Sequence, residues 1–247
     1  MKRSVEPADA RALEQVVRTL LDREDPVWTD RDIERLKARL EAELPEPCAE
    51  QPARWQDPLI EQAIPEGASV LDLGCGTGRL LDRLMRDKRV RAQGMEVAAE
   101  AVRACIDRGV PVLQCDLNAG LRGFADASFD VVVLEETLQT LHRPLQVLAE
   151  MLRVGRRSVV SFPNFGSWRI RLSLALDGRM PVTERLPYRW HDTPNIHLFT
   201  IRDFLEWVRA SDVEISDAFA LRGNEVGPLR EDDNLLADEA LFFLQKG

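Results

Sequence analysis

The 247-residue sequence has little of what marks secreted, metal-binding or membrane-spanning chains. Its four cysteines, Cys48, Cys75, Cys105 and Cys115, form no CxxC pair and no metal spacing, which excludes a disulfide framework or zinc ribbon and fits a reducing compartment. Three histidines, His142, His191 and His197, supply too few ligands for a metal site. The best apolar runs, VVVL and LFFL, fall far short of the roughly 18 residues a membrane span needs. The amino terminus, MKRSVEPADA, lacks the apolar core and cleavage site of a secretory leader. A cytoplasmic protein that does not engage membranes is therefore expected. Basic residues are outnumbered by acids, 33 to 42, for a net charge of −9, and only four of them are lysines. Phosphate contacts dominate nucleic-acid affinity, so a nucleic-acid partner is not expected either.

What is present is the pattern of a globular α/β protein. Residues 1–52 read as a helical extension and linker. Leu13, Val16, Val17, Leu20 and Leu21 form one helical stripe. A second helix, capped by Thr29, carries Ile33, Leu36, Leu40 and Leu44, and three prolines in PEPCAEQP end it. From residue 53 to 247 strands and helices alternate, as in a sheet covered on both faces. Strands are expected at Ser69–Leu73, Val90–Val97, Val110–Asp116, Phe129–Glu136, Ser158–Phe162, Val213–Leu221 and Leu241–Leu244. Helices are expected at Arg79–Asp87, Ala98–Arg108, Pro144–Arg153 and Ile201–Ala210. Pro163–Thr200 reads as a long irregular stretch of the kind that carries substrate loops.

The most informative segment is VLDLGCGTG, Val70 to Gly78. A strand running into Gly74, Gly76 and Gly78 brings bare backbone against a ligand just before a helix begins. The spacing is GxGxG, with Arg79 where a dinucleotide fingerprint needs its last glycine, so a nicotinamide cofactor fits poorly. Asp72 would be awkward beside a pyrophosphate and welcome beside an ammonium or sulfonium group. Glu96 ends the second strand, where a carboxylate can accept from ribose hydroxyls. Asp116 ends the third, where it can accept from an adenine amino group. Cys75, inside the turn, reads as a small packed residue rather than a nucleophile.

These residues resemble the class I S-adenosylmethionine-dependent methyltransferases. VLDLGCGTG is similar to their first motif, MEV to their second-strand acid, CD to their adenine contact and FDVVVLEETLQTL to their fourth motif. The resemblance implies a Rossmann-like, mostly parallel seven-stranded sheet with helices on both faces. It implies S-adenosylmethionine or S-adenosylhomocysteine as the cofactor, held by Asp72, Gly74, Cys75, Gly76, Gly78, Glu96 and Asp116, with Glu135 on the methionine side. Arg156 to Phe204, ETLQTLHRPLQVLAEMLRVG and RGVPVLQCDLNAGL are further similar to the MetW family of methionine-biosynthesis proteins. That likeness implies a helper of homoserine O-acyltransferase, of the acetyl or succinyl type. It also leaves open an active methyltransferase.

Methyl transfer depends heavily on holding the acceptor in line with the methyl group, so no catalytic side chain need show. None is identified, and no NPPY-like motif follows the fourth strand. Arg153 to Arg189 holds eight arginines against Asp177 and Glu184, a basic stretch in an acidic chain that reads as a solvated face or as a seat for an anion. Asn164 follows the fifth strand near the expected acceptor side. Trp168, Tyr188 and Trp190 are candidates for a pocket wall or an interface.

Overall fold

The computed structural model describes residues 54–183 and 185–247, so the helices and linker expected within residues 1–52 lie outside the described residues. Helix α1 (Asp57–Ala63) precedes a core of alternating elements: β1 (Ser69–Leu73), α2 (Arg79–Lys88), β2 (Arg91–Glu96), α3 (Ala99–Asp107), β3 (Val112–Gln114), β4 (Phe129–Glu135), α4 (Pro144–Val154) and β5 (Gly155–Pro163). After β5 come α5 (Trp168–Leu172), α6 (Ile201–Ala210), β6 (Val213–Arg222), β7 (Glu225–Pro228), α7 (Asp233–Leu236) and β8 (Glu239–Lys246).

The strands form one sheet in the order β3-β2-β1-β4-β5-β8-β6-β7. β3, β2, β1, β4 and β5 are mutually parallel, and β8 runs antiparallel between β5 and β6. Both faces are covered, which is why VVVL in β4 reads as an unbroken apolar run. The period of two divides its side chains. Val132 and Leu134 join Leu71 and Leu73 under α4 and α6, while Val131 and Val133 join Val70 under α1, α2 and α3. Phe162, Phe204 and Phe242 pack together on the first face, with ring centroids 4.7–5.7 Å apart.

Three expectations are corrected. The sheet has eight strands rather than seven, because Glu225–Pro228 folds back on β6 through a tight turn at Gly223. Its terminal proline suits an edge position and hides it in the sequence. The third strand is three residues long instead of seven. Pro111 has no amide to donate, and Asp116 turns the chain by accepting from the Asn118 amide at 2.9 Å. The stretch from 163 to 200 is not wholly irregular: Trp168 is buried against Leu172, Leu235 and Leu236, which holds the short helix α5 in place.

Asn164 is structural rather than a wall of the acceptor side. Fully buried, it donates to the carbonyls of Asp233, Asn234 and Ala237 at 2.8–3.3 Å. It accepts from the amides of Gly166 and Ile201 at 3.0 and 3.3 Å. One side chain thus ties the end of β5 to the starts of α5 and α6 and to α7. Asn164→Ala orphans several buried backbone groups at once and is expected to cost about 3 kcal/mol in urea unfolding.

Candidate functional site

Side-chain alternation puts three acids on one face of the sheet. Asp72 continues the row of Val70 in β1, Glu135 continues Val131 and Val133 in β4, and Glu239 lies in the row of Leu241 and Phe243 in β8. All three are buried and sit where β1 and β4 end and the reversed β8 begins. The segment leading into α1 covers them. Arg54 Nη1 donates to Glu135 Oε2 at 3.0 Å. Trp55 Nε1 donates to Glu239. Gln56 Nε2 donates to Glu239 at 3.1 Å and to Glu136 at 2.9 Å. Arg185 Nε lies 3.4 Å from the other carboxylate oxygen of Glu239, Oε1.

The neutralisation is incomplete. Burial pushes the Asp72 carboxyl up to about 7 and that of Glu135 up to about 8; Arg54 opposes both shifts, and neighbouring carboxylates reinforce them. Glu239 is raised by the same desolvation, with Glu136 adding to it. Glu135 Oε1 has no hydrogen-bond partner among the described residues.

The glycine turn lies beside this row. The amides of Gly74 and Cys75 both donate to the Met95 carbonyl, at 2.8 and 3.1 Å, pinning the turn to β2. Gly74 has φ +76°, and a Cβ there would meet Thr137 Oγ1 at 2.7 Å, so no side chain fits between this turn and the end of β4. Gly76 (φ +54°) faces open space, and Gly78 stands at the start of α2. The Gly76 amide donates to Glu96 Oε2 at 2.9 Å, while Glu96 Oε1 accepts from Val97 and Ala98. The acid ending β2 is therefore aimed at the exposed rim of the turn. Asp116 is exposed, and the Asn118 amide and side chain hold its carboxylate below the ordinary range. Cys75 and Cys105 lie with sulfurs 3.9 Å apart, and burial pushes the Cys75 thiol up, which keeps it protonated.

A cavity of about 300 Å³ opens between Gly74, Glu135–Thr140 and the connection ahead of α6, with Arg54, Arg185, Tyr188 and Glu239 in its walls. Of the eight arginines between 153 and 189, only Arg185 lines it. Arg153 pairs with Glu150 and Asp126, Arg156 faces Asp130, and Arg169 binds Asp238. The basic stretch is dispersed over the fold and does not build an anion seat at this cavity. None of the three histidines lines it. His142 is exposed, its amide donating to Asn118; His191 pairs with Asp192 at 3.2 Å; His197 donates its backbone amide to Gln139. Among the described residues no cluster of His, Cys, Asp and Glu is arranged to hold a metal ion, and no helix is long and apolar enough to cross a membrane.

Sequence reasoning proposed Asp72, Glu96 and Asp116 from strand ends and Glu135 from the family resemblance, and did not name Arg54, Gln56, Gln139, Arg185 and Glu239, which lie around the buried acids and the cavity. These come from distant parts of the chain, 183 residues apart for Gln56 and Glu239. Glu239 stands at the head of the unbroken apolar run ALFFL, which marks a strand covered on both faces but not which face the acid takes. Because folding raises the pKa of Asp72 and Glu135, the folded chain binds more protons than the unfolded one between the ordinary and raised values. The ligand-free protein should then lose thermal stability as pH rises from 5 to 8.5. Asp72→Asn, which cannot ionise, should flatten that slope in calorimetric melts and raise Tm at pH 8.5.

Comparison with known proteins fits this geometry. Residues 54–244 match the family described as methionine biosynthesis protein MetW. The chain is 39% identical over 195 residues to the bifunctional methionine biosynthesis protein MetXA/MetW of Rhodopirellula baltica, covering 74% of this chain. The matched part is 31% of that relative, so the chain corresponds to about a third of its length. Among solved structures it is similar to an S-adenosylmethionine-dependent methyltransferase of Thermotoga maritima, with TM-score 0.57, 19% identity and 78% and 88% of the two chains covered. A TehB-like methyltransferase of Corynebacterium glutamicum gives TM-score 0.56 and 18% identity over 98% and 100%. These likenesses place the fold among the class I methyltransferases, and the sequence match decides the family: the chain belongs to the MetW family.

Proposed function

We propose that this protein binds S-adenosylmethionine or S-adenosylhomocysteine and supports homoserine O-acyltransferase in methionine biosynthesis. The carrying observation is the Rhodopirellula baltica relative, in which a MetW part at 39% identity shares one polypeptide with MetXA. In the cofactor seat, Gly74, Cys75, Gly76 and Gly78 present backbone to the ligand. Glu96, already aimed at the Gly76 rim, accepts from the ribose, and Asp116 from the adenine. Asp72 and Glu135 meet the positively charged methionine end, where buried acids short of cationic partners favour a cation. The donor, when bound, supplies an electrophilic methyl group.

A surface for a protein partner is also available. Of the twelve large apolar side chains exposed among the described residues, seven lie between 174 and 198, with Trp190 the most exposed at 78%. Exposed apolar side chains of this size, where they are contiguous, mark interaction surfaces, and this segment is the candidate docking surface. The connection from 185 to 195 also walls the cavity, so cofactor occupancy can bias the docking surface. Linkage then requires the acyltransferase to change cofactor affinity by the same factor as the cofactor changes acyltransferase affinity. A catalytically active methyltransferase is the second reading, favoured by the cavity that adjoins Gly74. Transfer of labelled methyl groups into a metabolite extract would establish it.

Calorimetric titration with S-adenosylhomocysteine tests the seat: binding is expected, weakened at least about tenfold in Glu96→Ala. Co-purification with homoserine O-acyltransferase tests the partner, with Trp190→Ser expected to weaken the complex while leaving S-adenosylhomocysteine binding intact. A folded chain that binds neither would overturn this reading.

A further inference from the structure

A second cavity, of about 270 Å³, is lined by α5 and the residue before it, by the connection ahead of α6, by the turn after β6 and by Asp238 just ahead of β8. Among the described residues only Arg185 lines both this cavity and the one beside Gly74. Ser167, 2% exposed, stands immediately before α5, where a serine hydroxyl ordinarily accepts from a helix amide. Here it makes no such bond and has no other partner among the described residues, and it lines the cavity instead. A buried hydroxyl left open to a cavity calls for a polar ligand. Thr183 Oγ1 accepts from the Leu186 amide at 3.0 Å, which leaves its O–H to donate. Arg185 has Nε beside Glu239 and no acceptor for its Nη groups among the described residues.

The sign of the charge follows from the acid. Asp238 is the one carboxylate among the described lining residues, and it is taken: Arg169 Nη1 donates to its two oxygens at 3.0 and 3.1 Å, and the Gly223 amide to Oδ2 at 2.8 Å. That pairing holds Arg169 in place, with its guanidinium 4.6 Å from the centre of the Trp168 ring. A cation entering here meets two guanidiniums and an acid that already holds three hydrogen bonds, whereas an anion meets donors. Arg185 need not leave Glu239, because a guanidinium whose Nε serves one carboxylate presents its Nη groups to another. Ile170 and Leu186 supply apolar wall, which suits a short hydrocarbon body rather than a bare inorganic anion. We propose that this second cavity binds a small organic carboxylate, its anionic end on Arg185 and the Ser167 hydroxyl and its aliphatic body against Ile170 and Leu186. The site contains none of Asp72, Gly74, Glu96, Asp116 and Glu135, and it stands independently of the cofactor reading. Two arginines of the basic stretch, dispersed elsewhere in the fold, meet here.

The experiment is a ligand-observed NMR titration of the full chain with pentanoate. The matched cation n-pentylammonium and inorganic phosphate are titrated alongside, each with and without saturating S-adenosylhomocysteine. Expected are binding of pentanoate, its retention when S-adenosylhomocysteine is present, and affinities at least about tenfold weaker for the other two probes. Arg185→Met removes the charge and should weaken pentanoate at least about tenfold. Ser167→Ala should weaken it about fivefold and leave S-adenosylhomocysteine affinity within twofold. Because the Ser167 hydroxyl bonds to nothing among the described residues, this second variant keeps the test decisive if Arg185→Met does not fold. Absence of pentanoate binding, equal binding of n-pentylammonium, tighter binding of phosphate, or unchanged affinity in Ser167→Ala would each overturn the proposal. So would displacement by S-adenosylhomocysteine, which would put pentanoate in the cavity beside Gly74. Pentanoate binding by a chain that does not bind S-adenosylhomocysteine upholds this inference and sinks the cofactor reading alone; the reverse result sinks this inference alone.

Discussion

The site depends on one electrostatic constraint: a row of carboxyl groups on a single face of the sheet, buried and only partly compensated. Isolated buried carboxylates are expensive, and a protein keeps them only by pairing them, protonating them or binding a cation. This chain uses the first two together. Arg54 serves Glu135 and, through space, Asp72, while Asp72 and Glu135 are raised into the neutral range by burial. The third remedy, a bound cation, is the one that a ligand can supply.

Much of the surrounding architecture serves that row. The segment Arg54–Trp55–Gln56 has its polar atoms directed at Glu135, Glu136 and Glu239, and α1 then packs Ile60 and Ile64 into the core beneath α2. Asp57, at the first turn of α1, pairs with Arg83 of α2 at 2.5 Å, fixing how the segment crosses the sheet. Thr137 fills the space opposite Gly74 and holds its own hydroxyl on the Glu135 carbonyl at 2.8 Å. The glycine turn and the end of β4 are therefore fitted to each other through the missing Cβ of one residue. A change at either edge is felt at both.

The readable part of this protein is its local part. Strand β1, the turn after it and β4 could be placed because their signals are short-range: apolar runs for strands covered on both faces, glycines where backbone must approach a ligand, acids where strands end. The helix over Ile201–Ala210 was legible to the residue, since Thr200 and Asp203 form a capping box. Legibility failed where the structure depends on contacts distant in sequence. Nothing near Gln56 announces that it will meet Glu239, and nothing in DNLL shows that its carbonyls will be gathered by Asn164. Of the two readings of the arginine stretch, the anion seat does not form at the cavity beside Gly74, because proximity in sequence did not become proximity in space. Arg153 is held by Glu150 of the same helix, α4, and by Asp126, and Arg169 is occupied by Asp238.

The connection between β5 and α6 joins the two halves of this chemistry. Its inner side contributes Arg185, Tyr188 and Asn195 to the cavity wall, and its outer side carries Trp190, Ile196 and Leu198 into solvent. The backbone of Ile196 and His197 is anchored to the Gln139 carbonyl at 2.9 and 3.0 Å, the residue whose side-chain oxygen has no partner among the described residues. A ligand that engages Gln139 or competes for Glu239 thus acts on the residues that position the exposed aromatic surface. The path is short, one hydrogen-bonded residue and one ion pair, and it needs no rearrangement of the sheet. Any coupling carried by it is limited by the difference in ligand affinity between the two arrangements of this connection. Within fifteen residues this connection therefore holds both a wall of the cavity and the exposed apolar side chains proposed above as a docking surface.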